Sequence, residues 1–142
     1  MELNVEIGEQ TTFSKTITDA DVALFSAISG DFDPIHVNEA YAAQTMFGKR
    51  IAHGIGVLGL LSATESEMSK RIVSRGGPGK PLSLGYDKIR FLKPVFIGDT
   101  LTAVYTVQSI DKDKARAIGK CEILNQAGEL VLVGDHIMKW VA

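Results

Sequence analysis

"HGIGVLGLLSATESEMSKRIVSRGGPG" (residues 53–79) decides the fold. Its first two helical turns are apolar on every side, and Glu65, Glu67, Lys70 and Arg71 enter only afterwards. A helix that is apolar all round at one end is buried at that end. Gly56 and Gly59 each cost roughly 1 kcal/mol against alanine in a helix interior. They are expected to be tolerated because a sheet presses close against them. The run Gly76-Gly77-Pro78-Gly79 stops the helix and makes an exposed loop.

Outward from this helix the periodicity changes. LSLGYDKIRFLK, LTAVYTVQSI, KARAIGKCEIL and ELVLVGDHIMKWV read as four strands, separated by the turn signals KPVFIGD, DKDK and NQAG. Short turns between consecutive strands favour an antiparallel meander over βαβ units, which need long crossovers. On the N-terminal side, residues 11–17 read as a strand. Thr18 or Asp19 caps a helix through DADVALFSAIS, with Val22, Phe25, Ala27 and Ile28 on its apolar stripe, and Gly30 ends it. NEAYAAQTM reads as a further short helix capped by Asn38. The sum is an α+β chain in which an antiparallel sheet wraps one long central helix, the arrangement called a hot-dog. Such a sheet leaves edges and apolar surface to cover, so a homodimer is expected.

The bulk numbers agree with one domain over residues 1–142 of a 15.3 kDa chain. Hydrophobic residues make up 45% and charged residues 23%, enough for a core and too apolar for disorder. The net charge is −2 and no Lys/Arg block exceeds two residues, which excludes a nucleic-acid partner and leaves room for a small anionic ligand. Cys121 is alone, so a disulfide framework is excluded and a cytoplasmic protein is expected. MELNVEIGEQ has neither the basic start nor the apolar run of a signal peptide. The longest apolar run, IGVLGLLSA, falls well short of the ~20 residues of a membrane span.

The chemistry concentrates in "SGDFDPIHVNEAYA", residues 29–42. Two readings stand at this point. Asp33-Pro34 is a common turn former, and Asp31 can be a solvated loop carboxylate. Alternatively, the proline bend brings Asp31 and His36 to one point, where a carboxylate and an imidazole sharing a water supply a base and an acid. His53-Gly54 opens the long helix, whose first N–H groups have no internal partner and face outward. Gly54 has no side chain to block approach, so its amide is a candidate oxyanion donor. His53 reads either as a substrate contact or as a packed histidine that sets the helix start.

Together, FSAISGDFDPIHVNEAYAA, RIAHGIGVLGLLS and FLKPVFIGDTL resemble the MaoC-like family of (R)-specific enoyl-CoA hydratases over most of the chain. The resemblance implies a homodimeric hot-dog enzyme that adds water to a trans-2-enoyl-CoA thioester. No metal or other cofactor is expected, since the histidines are not spaced like ligands and no cysteines cluster with them. The resemblance also implies Asp31 and His36 as the catalytic pair, Gly54 as the backbone oxyanion donor and Ser62 as a serine lining the site. Asp33 and His53 complete the substrate-binding candidates. The family usually has asparagine where this chain has Asp33, which keeps an acceptor, loses a donor and adds negative charge beside Asp31. Residues 64–81 look longer than in short relatives and are expected to reshape the tunnel mouth or dimer edge. Tyr86, Lys88, Arg90 and Lys93 share a strand, as CoA-phosphate contacts or as a solvated face. The rival activities are a hot-dog thioesterase, a non-catalytic acyl-CoA-binding subunit, and a hydratase of carrier-protein substrates.

Overall fold

A computed structural model describes residues 2–77 and 79–141, so Pro78 of the expected GGPG loop lies outside the described residues. β1 (Gln10–Thr16) leads into α1 (Asp19–Ser29) through a capping box: Asp21 N–H donates to Thr18 Oγ1, and Thr18 N–H to Asp21 Oδ2. Gly30 closes α1 at φ 80°, a left-handed conformation that glycine adopts without strain. The expected apolar stripe on α1 is corrected. The helix buries Val22 and Ser26, whereas Ala27 and Ile28 are exposed, because Ser26 is the residue facing the start of the long helix. α2 (Pro34–Val37) and α3 (Glu39–Ala43) follow as two short helices. The expected helix over NEAYAAQTM ends earlier, at Ala43, and Asn38 Oδ1 caps it through Tyr41 N–H.

The long helix forms as α4 (Gly54–Leu58) and α5 (Leu60–Ser74), joined at Gly59, which keeps right-handed angles of φ −57° and ψ −23°. Val57, Leu61, Thr64, Met68 and Ile72 face the sheet at helical spacing and are buried. Two expectations fail here. Ile55 is exposed, so the apolar start is not enclosed within one chain. Gly56 meets the Phe25 ring of α1 rather than a strand, and Gly59 meets the carbonyl of Gly56. Residues 64–81 are also mostly regular: they continue α5 to Ser74 and enter the next strand at Lys80.

β2 (Lys80–Phe91), β3 (Thr100–Asp111), β4 (Arg116–Leu124) and β5 (Leu130–Val141) complete one antiparallel sheet of order β1-β3-β4-β5-β2. The simple meander is therefore corrected: β3, β4 and β5 form one, but β2 pairs with β5. β1 already occupies the free edge of β3, with Gln10 to Thr16 paired against Thr106 to Thr100. α5 packs on β1, β2 and β3, and alternate residues such as Leu101, Ala103, Tyr105 and Val107 point into the core beneath it. The fold is α+β of the hot-dog kind. Among the described residues no helix is long and apolar enough to cross a membrane.

Candidate active site

The loop between α1 and α2 is shaped by side-chain caps. Ser29 Oγ accepts from Asp31 N–H, Asp31 Oδ1 from Asp33 N–H, and Asp33 Oδ1 from Ile35 N–H. These Asx-type bonds stand in for a helix while the chain reverses. Asp33 is thereby the N-cap of α2, with Pro34 at the first helical position, where its missing N–H is harmless. Its carboxylate is held in the turn, a place an asparagine amide oxygen would fill equally well.

The opposite wall is residues 50–54. Ile51 bridges Phe96 and Ala52 N–H donates to Val95 O at 2.7 Å, which pins this segment beside the sheet. Ile51 N–H then donates to Ile35 O, and His36 Nδ1 lies 2.7 Å from Ile51 O. A carbonyl oxygen only accepts, so Nδ1 carries the proton and neutral His36 presents the lone pair of Nε2. That Nε2 is 3.9 Å from Asp31 Oδ2, with the His36 side chain 12% exposed and that of Asp31 50%. The two groups named from the sequence do converge.

His53 completes the assembly. It is 3% exposed, and its Nε2 lies 3.0 Å from Asp31 O and 3.2 Å from Ser26 Oγ. Its ring stacks on His36 with centroids 3.9 Å apart and an interplanar angle of 29°. One donor atom each of Asp31, His36 and His53 lies within 4.8 Å of the others. The His53 Nε2–H is engaged with a carbonyl, so this nitrogen acts as a proton donor within the scaffold and not as a free ligand. The packed-histidine reading of His53 therefore describes its contacts. Ser26 and Arg50 were not singled out from the sequence. Arg50 joins Asp19 at 3.0 Å and Glu39 at 2.6 Å, and donates to His36 O at 3.3 Å, clamping α1, α2 and α3 together. Its signal was its place at the head of RIAHG; Ser26 gave none, since a serine in a helix is seldom a buried anchor.

Gly54 is the first residue of α4, and no side chain caps that helix start. A Cβ at Gly54 would lie 2.8 Å from Phe91 Cε1, so only glycine leaves the ring where it is. His36 and Gly54 line one cavity of about 380 Å³ with Phe47, Phe91, Lys93 and Val131. A second apolar cavity of about 600 Å³ lies across α4, lined by Leu24, Phe25, Ile28, His53 and Gly56. Ser62 does not join this group: it lines a separate cavity between α5 and β2. Of the strand residues, Tyr86 turns inward to Glu65, Lys88 reaches Asp135 at 3.9 Å, Arg90 donates to Ile89 O and Lys93 pairs with Glu129.

The chain belongs to the MaoC like domain family, which it matches over residues 3–127. It is 33% identical over 136 residues to an (R)-specific enoyl-CoA hydratase of Aeromonas caviae, covering 96% of each chain. It is 34% identical over 136 residues to a 3-hydroxybutyryl-CoA dehydratase of Methylorubrum extorquens, covering 96% of this chain and 81% of that one. The solved (R)-hydratase from A. caviae involved in PHA biosynthesis superposes with a TM-score of 0.84 at 32% identity, covering 99% of this chain and 100% of that one.

Proposed function

We propose that this protein is a hydro-lyase that adds water reversibly, on one face, to the double bond of a trans-2-enoyl-CoA thioester, giving the (R)-3-hydroxyacyl-CoA. The observation that carries the reading is the 3.9 Å separation of His36 Nε2 and Asp31 Oδ2, with the imidazole fixed from behind by Ile51 O. That spacing suits one water bonded to both groups. The thioester oxygen rests against the N–H of Gly54, and the water oxygen bonds to C3. The electrons of the C2=C3 bond move toward the thioester oxygen, where the amide stabilises the enolate. Asp31 and His36 together take one proton from the water and return one to C2, so the pair ends as it began. Dehydration follows the same path backwards, because one barrier serves both directions.

The working unit in this reading is a homodimer. β1 and β2 are sheet edges, and Ile55, Phe91 and Leu92 are exposed around the cavity that His36 and Gly54 line. So much apolar surface in one region calls for a partner. The reaction test is crotonyl-CoA hydration followed by loss of the enoyl absorbance, with a thiol-reactive dye beside it. Loss of absorbance without free thiol supports the hydratase. Release of thiol makes the protein a thioesterase, and binding without either change makes it a non-catalytic acyl-CoA-binding subunit.

A further inference from the structure

A second polar cluster lies outside the hydration chemistry. Glu65 of α5, Ser83 and Tyr86 of β2, Tyr105 of β3 and His136 of β5 meet under the middle of the long helix. His136 is fully buried. Its Nδ1 is 2.7 Å from the Tyr105 hydroxyl and its Nε2 is 2.8 Å from Ser83 Oγ and 3.2 Å from Glu65 Oε1. The Tyr86 hydroxyl donates to the same carboxylate oxygen. Gly119 makes room for this arrangement, because a Cβ there would overlap the Tyr105 ring. Burial pushes Glu65 up to about 7 and His136 down to about 4, so the interior disfavours both charges. A buried group of this kind is usually no better for stability than an apolar packing of the same volume.

The cluster is open on one side. Glu65 and Ser83 face a cavity of about 270 Å³, lined also by Ser62, Ser66, Ser69 and Lys80. Lys80 Nζ donates to Ser69 Oγ at 2.9 Å at its outer end. The cavity relates to the catalytic loop through the helix. Glu65 stands eleven residues after Gly54, about three turns and so on nearly the same face, roughly 16 Å along the axis. Both residues face β2, Gly54 against Phe91 and Glu65 against Tyr86.

We propose that this cluster and the cavity beside it form a polar specificity pocket, which binds an uncharged hydroxyl group carried on the acyl chain of the thioester. The proposal rests on the enoyl-CoA reading and names the substrate class of that site. The lining selects the chemistry. Glu65 and Lys80 together give the lining no single sign to draw in an ion, and a methyl end would strip water from Glu65 and Ser83 without replacing its bonds. A hydroxyl donates to the carboxyl and accepts from a serine at once. Sites built to hydrogen-bond a hydroxyl reject the analogue that lacks it more strongly than apolar pockets discriminate by size.

The test is a matched panel of medium and long trans-2-enoyl-CoA thioesters, each as plain alkyl and with a terminal hydroxyl. At the preferred length the hydroxylated substrate is expected to exceed its alkyl partner in kcat/KM by ~10-fold or more. Glu65→Leu is expected to remove that preference, and Glu65→Gln, which keeps an acceptor for Tyr86, to retain most of it. Should the Glu65→Leu melting curve show an unfolded protein, Tyr86→Phe is the second variant, with a several-fold fall in the ratio expected. Equal turnover of both series at every length, or an equal fall on both in Glu65→Leu, overturns the specificity pocket alone. Absence of turnover on every thioester overturns the hydratase reading and this proposal with it.

Discussion

Asp31, His36 and His53 come from two short stretches of chain: Asp31 is held by bonds within its own loop, His36 by Ile51 O, and His53 by the Asp31 carbonyl. Glu65, Ser83, Tyr86, Tyr105 and His136 come from four elements and meet only when the sheet closes on the helix. The first group keeps a half-exposed carboxylate at its rim, and the second hides a histidine completely. Local construction lets the side chains of Asp31 and His36 be changed with little consequence for the fold. Tertiary construction makes the second group answer to pH through stability. The two should therefore fail in different assays.

The largest effect separates them most clearly. His36→Ala and Asp31→Asn are expected to lower crotonyl-CoA hydration by roughly 10²–10⁴-fold, the usual range for a positioned acid or base. The melting temperature should move little, since neither side chain is part of the buried core. Hydration at normal rates in both variants would sink the proposed site. A large fall in melting temperature with the rate per folded molecule unchanged would place this loop with the structural cluster instead.

Gly54→Ala probes the same end through packing. The amide that is to hold the thioester oxygen survives, but the new Cβ would lie 2.8 Å from Phe91 Cε1, so the ring or the helix start must shift. A displacement of that order costs about 10²-fold in turnover when it misplaces reacting groups. The double variant with Phe91→Ala should recover part of the loss. If the single variant is as fast as the parent, the helix start is not the oxyanion site.

The buried cluster makes the opposite prediction. Glu65 is raised from 4.5 to about 7, so the folded state prefers the protonated acid. Its contribution is present below pH 4.5 and is lost as pH rises toward 7. His136 is lowered from 6.5 to about 4, so its neutral form is favoured and stability falls as pH drops through that window. Each shift corresponds to about 3 kcal/mol at the upper bound. Melting temperatures between pH 5 and 8 should show the parent losing stability relative to Glu65→Gln as pH rises. Parallel curves for the two proteins would mean that Glu65 is not held in its acid form by burial.

The same contrast explains what the sequence disclosed. Four strands and the long helix were legible because local rules write them, alternation and caps. The break at Gly59 was not foreseen, and the Asp31–His36 pair was one of two readings of its loop until the family resemblance favoured it. The long-range consequences of these elements were not legible. The pairing of β2 with β5 depends on β1 having taken the edge of β3, which no turn signal encodes. Gly56 was matched to a strand, yet its neighbour is Phe25, a helix residue thirty-one positions away. Ser62 resembled a member of the catalytic site by motif, whereas its cavity is shared with Glu65 and Ser83. Glu65 and His136 gave no warning of each other, seventy-one residues apart on elements that read as ordinary helix and strand.

The smallest expected effect tests whether the catalytic loop is as local as its bonds imply. Asp33 Oδ1 accepts from Ile35 N–H at 3.0 Å and caps α2, so the side chain's role here is that of an acceptor. Asparagine is as good an N-cap as aspartate, and alanine costs about 1 kcal/mol. Asp33→Asn should leave stability within a few tenths of a kcal/mol and hydration within about twofold, although it removes a charge three positions from His36. Asp33→Ala should lower the melting temperature measurably and, by loosening α2, weaken hydration as well. A large change in rate for Asp33→Asn at unchanged stability would show that this carboxylate reaches the substrate, and the loop would then hold three acting groups instead of two.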